Sequence, residues 1–483
     1  MTDVKRMYVN GEWILAEGGA TFNVINPADQ SVVAAVTNGA APEIQRAVHA
    51  AHAAFREWSL LAPKDRGRIL LGIQERMEER RDDLARLVTL ENGKPFEEAK
   101  KEVQFSLGYF GWFAEEARRR AGEWVASPQP GKRYLVLHQP IGPVAAVTPW
   151  NFPATMVTRK IAPALAAGCT VVLKPASATP LTALAIAEIA QAAGLPPGVF
   201  NVLTTNRSRL VGNELLTHPW IRKIGFTGST DVGKGIMETA ARQIKRLSFE
   251  LGGNAPFIVF DDADLKAAVE GAVAMKYLRV GGQSCICANR IYVQRSIAEQ
   301  FIPAFVQAVK KLKVAPGFEP GAQIGPLINE ETRAKVHSLV QDAVAKGARL
   351  VAGGHYLTDG PYKNGFFYAP AVLLDATDDM SIATEEIFGP AAPVLLFDTE
   401  EEVVQRANAT NFGLAAYFYT KDMTRLMRVA EQLEYGLVGA NDATGYTHEI
   451  PFGGFKESGL GREGGHEGIE EYTEVKSVVV NLQ

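Results

Sequence analysis

Cysteine is nearly absent from this chain of 483 residues, which has only Cys169, Cys285 and Cys287. So few exclude a disulfide framework and a cysteine-built zinc site, and no metal centre is expected. Neither sign of charge dominates: the formal net charge is −4. So large a surface with so little net charge has no basic field, which argues against nucleic acid and anionic membranes as partners. Long hydrophobic runs are missing as well. The longest uncharged apolar stretch, Ile161 to Leu173, is broken by Pro163 and Gly168 and is too short to span a bilayer. The opening MTDVKRMYVNGEW has no apolar h-region and does not read as a secretory signal. A reducing, cytoplasmic setting is the expectation, since an exposed thiol keeps its chemistry there.

The residues that are present describe a folded α/β chain. Hydrophobic residues make up 47% and charged residues 22%, enough for packed cores, and the length calls for two or more domains. PEIQRAVHAAHAAFREW (42–58) and RGRILLGIQERMEERRDDLARLV (66–88) have the period of amphipathic helices with charged outer faces. The short apolar runs GPVAAVTPW, CTVVLKP, PFIVF and APVLLF are each followed by a turn signal and a helical stretch. That alternation predicts parallel strands with crossover helices. The terminal EYTEVKSVVVNL is β-branched and reads as an edge strand. Such a strand needs cover, either from another subunit or from the chain's own sheet.

Four segments carry chemistry. In Gly281-Gly282-Gln283-Ser284-Cys285 the glycines leave room for a substrate to approach a nucleophilic sulfur. Glu250-Leu251-Gly252-Gly253-Asn254 sets a carboxylate at a tight turn, where it can act as a base. Thr148-Pro149-Trp150-Asn151-Phe152-Pro153 follows a strand, and the Asn151 amide can donate to an oxyanion. Phe226-Thr227-Gly228-Ser229-Thr230 opens a helix whose N-terminus suits a pyrophosphate, although no GxGxxG follows the first strand. Taken singly, each segment also has a plain structural reading: a buried thiol, a surface glutamate, a turn and a capped helix.

Together and in order, these segments resemble the aldehyde dehydrogenase superfamily over essentially the whole chain. The matching motifs are PWNFP (149–153), KPAS (174–177), FTGST (226–230), ELGGN (250–254), GQSC (282–285), EEIFGP (385–390) and PFGGFKESGLGREGG (451–465). The resemblance implies Cys285 as the nucleophile, Glu250 as the base that activates water, and Asn151 with the Cys285 N–H as the oxyanion hole. It implies a dinucleotide held by Trp150, Lys174, Ser177, Gly228, Ser229, Glu386 and Phe388. It further implies a Rossmann-like cofactor domain (1–119 and 141–252, with a return near 453–467), an α/β catalytic domain (253–452) and a small β oligomerisation arm (120–140 and 468–483). Homodimers or homotetramers are expected.

Within the superfamily the chain looks most like the succinate-semialdehyde dehydrogenases, through VTRK, GNAPFIVFDDADL, CICANRIYVQ and LAAYFYT. That likeness implies two arginines, Arg159 and Arg279, for an anionic tail. The subfamily's serine is replaced by Tyr446, with His448 close by, so glutarate or 2-oxoglutarate semialdehyde and sulfolactaldehyde are alternative substrates. Ser177 stands where many NAD-preferring members carry glutamate, and Lys174 can pair with a 2′-phosphate, so the expected cofactor is NADP or NAD, with NADP accepted well and a preference for it the stronger form of the expectation. Glu250 argues against a CoA-acylating relative. Retention of Cys285, Glu250 and Asn151 together argues against a catalytically silent structural homologue. Cys287 reads as packing filler, with a reversible redox brake on Cys285 as the alternative. Thr205, where a glycine is usual, has no evident purpose from the sequence.

Overall fold

The strand sequences PVAAV, TVVLK, KIGFT and APFIV are apolar at nearly every position, so each strand needs cover on both faces. A parallel sheet between layers of helix provides it. The computed structural model describes residues 4–119 and 122–482, and two large sheets of this kind are found among them. In the first, parallel strands lie in the spatial order Phe200–Val202, Thr170–Lys174, Pro143–Val147, Lys223–Thr227, Arg246–Glu250. The chain visits the middle strand first, moves outward on one side, then crosses to the other. The order therefore reverses between Pro143–Val147 and Lys223–Thr227, the switch point where doubly wound sheets bind ligands. Gly459–Leu460 returns from near the C-terminus to pair antiparallel with Phe249 and Glu250.

The second sheet has parallel strands in the order Ala371–Leu374, Ala391–Phe397, Ala288–Gln294, Ala255–Val259, Ala415–Tyr419, Leu437–Ala440, with Arg349–Ala352 antiparallel at one edge. Leu251-Gly252-Gly253-Asn254 links Glu250, at the C-terminal end of one sheet, to Ala255, at the N-terminal end of the other. A β-carbon on Gly253 would come within 2.0 Å of the Cys285 carbonyl oxygen, so this close approach demands glycine. The C-terminal edge of the first sheet thus meets the N-terminal edge of the second.

A third, antiparallel sheet joins Glu123–Val125, Lys132–Pro140 and Thr473–Asn481. The terminal strand therefore adds to the chain's own sheet. Its outer edge has no neighbouring strand among the described residues, and Val475 and Val479 are each 63% exposed. Of the spans expected from the sequence, residues 1–3, 120–121 and 483 lie outside the described residues.

The expected α/β class, with a doubly wound sheet, a second parallel sheet and a small β arm, is what the structure has. One helix expectation is corrected. The amphipathic run 66–88 is two helices, Pro63–Glu79 and Arg81–Asn92, separated at Arg80 with φ −104° and ψ 18°. Asp82 and Asp83 then lie in the first turn of the second helix, where its dipole favours them. Among the described residues no helix is long and apolar enough to cross a membrane.

Candidate active site

Cys285 follows a turn that the sequence shapes with glycine. Val280, Gly281 and Gly282 have φ of 49°, 59° and 81°, all left-handed. Two are glycines. Val280 is β-branched and strained there, and its N–H is caught by the Glu98 carboxylate at 2.7 Å. Gln283, fully buried, donates to the Val280 carbonyl (2.8 Å) and accepts the Ile328 N–H (2.9 Å), which locks the turn. The half-buried Cys285 is thereby presented at the sheet junction. Burial pushes its thiol up to about 12; Arg159 is the strongest charge pulling it down, while Glu386 and Glu250 add to the rise.

Asn151 sits beside it. Its side-chain amide donates to the Gln283 carbonyl at 3.0 Å, two residues before Cys285. The turn that carries Asn151 is clamped from the helix Phe96–Arg119 and the loop before it. Lys94 donates to the Asn151 carbonyl (2.9 Å) and to Glu102 (2.5 Å). Glu102 in turn accepts the Ala154 and Thr155 N–H groups. These acceptors take up the orphan donors at the start of helix Thr155–Ala167.

Glu250 closes its strand and is 1% exposed, with Oε2 lacking a hydrogen-bond partner among the described residues. Burial holds its carboxyl well above the usual range, and the negative charge of Glu463 pushes the same way against Arg159 and Lys160. Glu463 itself stays ionised despite burial, because Lys160 and Arg159 outweigh the loss of water. Arg159 Nε lies 2.5 Å from Glu463, and the Lys160 ammonium pairs with the other oxygen. Ser458, on the same C-terminal return, donates to the Gly252 carbonyl at 2.7 Å and steadies the linker after Glu250.

A cavity of about 450 Å³ adjoins this cluster, lined by Phe105, Phe152, Thr155, Arg279, Thr444 and Tyr446 among others. Arg279 Nη2 donates to the Tyr446 hydroxyl at 2.7 Å, while its Nε is buried without a partner among the described residues. Two of the expected substrate residues lie beside this cavity without being among the residues that line it. Arg159 does not line the cavity: it is 1% exposed and committed to Glu463, because a buried carboxylate holds the nearest guanidinium. His448 does not line it either. Its ring fills the space above Gly108, where a β-carbon would come within 2.5 Å, and packs against Phe105 and Tyr109. A larger hollow, of about 680 Å³, lies between Arg222, Lys245 and Glu474 and is lined by none of the residues expected at the site. Cys169 and Cys287 are buried free thiols, and the Cys287 sulfur faces the Lys276 carbonyl.

The remaining expected residues gather at the C-terminal edge of the first sheet and the facing edge of the second. Lys174 ends its strand 6% exposed and Ser177 is half-buried just beyond. Ser229 is the N-cap of helix Thr230–Ala240 without a side-chain cap bond, so the first helical N–H groups are left for another acceptor. Gly228 donates its N–H to the Glu250 carbonyl at 3.1 Å. Glu386 accepts the Gly253 N–H at 2.8 Å, and burial raises its carboxyl to about 7. Trp150 and Phe388 meet edge to face at 5.6 Å, with Phe388 held in a left-handed conformation. A helix N-terminus without a side-chain cap beside the switch point, and a lysine one strand away with no side-chain partner among the described residues, fit a dinucleotide phosphate.

The profile of the aldehyde dehydrogenase family matches residues 13–478. The chain belongs to that family. It is 50% identical over 474 residues to an NADP-type succinate-semialdehyde dehydrogenase of Escherichia coli K12, covering 98% of this chain and 97% of that one. A glutarate-semialdehyde dehydrogenase of Pseudomonas putida is 49% identical, covering 99% and 98%. The crystal structure of an NADP-dependent enzyme of E. coli superposes with a TM-score of 0.97 at 50% identity, covering 99% and 98%. As a member of the family the chain is an oxidoreductase acting on an aldehyde with a nicotinamide dinucleotide. The sequence reading missed the supporting residues Lys94, Glu98, Glu102, Lys160 and Glu463. All are far from their partners in sequence, apart from the pair Lys94 and Glu102. Only the GREGG motif, which holds Glu463, offered a signal.

Proposed function

We propose that the protein oxidises an aldehyde with an anionic tail, a dicarboxylic semialdehyde in the first instance and sulfolactaldehyde as the alternative, to the corresponding acid, and that it accepts NADP. One observation carries the substrate class: Arg279 lines the cavity beside the catalytic cluster with a buried, unpartnered N–H. A carboxylate tail satisfies that donor and can also accept from the Tyr446 hydroxyl, in charge-assisted hydrogen bonds. Similarity to succinate- and glutarate-semialdehyde dehydrogenases supports the same class. Arg159 contributes from behind, as the strongest positive charge favouring the Cys285 thiolate.

The chemistry follows from protonation states. With its thiol near 12, Cys285 needs a base, and Glu250, raised by burial and by Glu463, has the strength to take that proton. Sulfur then bonds to the carbonyl carbon, and the oxygen takes up charge. The Asn151 amide and the Cys285 N–H stabilise it, at about 3 kcal/mol for one such donor. A nicotinamide dinucleotide held by Lys174, Ser229 and Glu386 would supply the acceptor for the hydride that leaves this carbon. Glu250 releases the thiol proton to solvent before the second half of the reaction; it then takes a proton from the water that cleaves the thioester left on Cys285, and sulfur departs as thiolate. Ser177 places no carboxylate against a 2′-phosphate, and the Lys174 ammonium has no competing partner, which supports NADP. The arm, with its open edge and exposed Val475, Val479 and Leu482, is proposed to pair with a second copy in a dimer or tetramer.

The test is a kcat/KM panel of succinate, glutarate and 2-oxoglutarate semialdehydes, sulfolactaldehyde and neutral aldehydes of equal length, each with NAD and NADP. Anionic tails should exceed neutral ones by about tenfold or more. Equal rates for neutral aldehydes would remove the anionic assignment. Cys285→Ser should abolish turnover while keeping the fold and dinucleotide affinity. Normal turnover by that variant would remove the mechanism.

A further inference from the structure

The cavity of about 450 Å³ beside the catalytic cluster is lined by two groups of opposite charge that the fold leaves half-satisfied. One is Arg279, whose Nη2 meets Tyr446 and whose Nε is buried without a partner among the described residues. The other is Glu98. It lies in the first turn of helix Phe96–Arg119, where the helix dipole favours a carboxylate. Its Oε1 accepts the Val280 N–H at 2.7 Å, and its Oε2 is buried with no hydrogen-bond partner among the described residues.

The two groups face one cavity without pairing, and each acts on the other only as a charge at a distance. Nearby charges are already spent. Glu102, also on the cavity wall, takes Lys94 and the Ala154 and Thr155 N–H groups, and Lys94 has the Asn151 carbonyl besides. Burial raises the Glu98 carboxyl, while Lys94, the Val280 N–H and Arg279 hold it down. The bond to Val280, whose backbone is held at φ 49°, fixes which oxygen serves the turn before Cys285. Oε2 is the atom left for a ligand, and a buried carboxylate oxygen without a donor is costly until one arrives.

We propose that Arg279 and Glu98 read the substrate's tail as a pair. Arg279 takes the anionic group, and Glu98 Oε2 accepts from a hydroxyl or ammonium on the carbon beside it, so the preferred semialdehyde bears a hydrogen-bond donor next to its acid end. This rests on the reading that the anionic tail lies against Arg279. A site built to bond a hydroxyl or N–H discriminates against the analogue that lacks it, because its own buried group is then left unpaired. With the aldehyde carbon held at Cys285, separate contacts to the anion and to its neighbour also distinguish mirror images.

The experiment measures kcat/KM for the full-length protein and its Glu98→Gln and Arg279→Ala variants. The probes are butanal, succinate semialdehyde, and its analogues with a hydroxyl (malate semialdehyde) or an ammonium (aspartate semialdehyde) beside the carboxylate, each as separate enantiomers. In wild type one enantiomer of a donor-bearing analogue should exceed succinate semialdehyde by about tenfold or more. Glu98→Gln keeps an oxygen for the Val280 N–H and turns amide N–H groups toward the cavity. It should erase that advantage and the preference between enantiomers, with succinate semialdehyde within about threefold of wild type. No advantage in wild type, an advantage that survives in Glu98→Gln, or an equal loss for every probe overturns the proposal. Arg279→Ala separates this failure from that of the underlying reading. If it lowers succinate semialdehyde relative to butanal while the donor brings no advantage, only the Glu98 assignment falls. If it changes neither, the anionic tail does not lie against Arg279.

Discussion

Arg159 and Arg279 both act on the Cys285 thiol, but the regions around them are built differently. Around Arg159 the charges answer one another. Its guanidinium and Lys160 share Glu463, all three are buried, and Glu250 lies within the same field. Around Arg279 the accounting is more open: one nitrogen meets the Tyr446 hydroxyl, Nε has no hydrogen-bond partner among the described residues, Glu98 acts only from a distance, and a cavity lies alongside. A closed ionic cluster sets protonation states, whereas an open guanidinium waits for a ligand. On the proposed function, the first region serves the chemistry and the second the selectivity.

The comparison is sharpest if the two regions fail in different ways. The largest effect is expected from Glu250→Gln, which removes the base and should lower kcat roughly 10²- to 10⁴-fold for every aldehyde, anionic or neutral. A loss confined to anionic aldehydes would break the division. Next is Glu463→Gln, which leaves two buried cations under-compensated and should cost about 3 kcal/mol in urea unfolding. It also has a signed pH consequence. The Glu250 base form exists only above its raised pKa, so kcat/KM rises with pH. Removing the negative neighbour and freeing Arg159 and Lys160 favours the ionised form, so the acid limb should move to lower pH. A limb that stays in place or moves up would separate Glu463 from Glu250.

Arg279→Ala should cost anionic substrates ten- to hundredfold in kcat/KM, about 1.5–3 kcal/mol, and leave neutral aldehydes nearly unchanged. A uniform loss would place Arg279 with the chemistry instead. The smallest effect is expected from Tyr446→Phe, which keeps the ring against Phe105 and Phe452 and removes one hydroxyl. About a three- to tenfold rise in KM for anionic aldehydes alone is expected.

Much of this was legible in order and spacing. Apolar runs bounded by turns marked Pro143–Val147, Thr170–Lys174, Ala255–Val259 and Ala391–Phe397 before any coordinates, because a strand buried on both faces must be apolar throughout. Gly252 and Gly253 announced a tight turn after Glu250, and Gly281 and Gly282 announced room beside the sulfur of Cys285. The fate of each charged side chain was not legible. Arg159 and Arg279 look alike in a string of letters; only burial beside Glu463, more than three hundred residues later, separates them. His448 likewise lies near Tyr446 in sequence, but the space above Gly108 takes its ring out of the cavity.

By itself the sequence determined the α/β class and the family, and it singled out Cys285, Glu250 and Asn151, which the structure places around one sheet junction. Local patterns suffice for these, since strand periodicity, glycine turns and motif order are short-range properties. The tertiary structure alone decided which buried cation is answered by a carboxylate and which is left open. That depends on partners brought together across hundreds of residues, where desolvation makes every unpaired charge count.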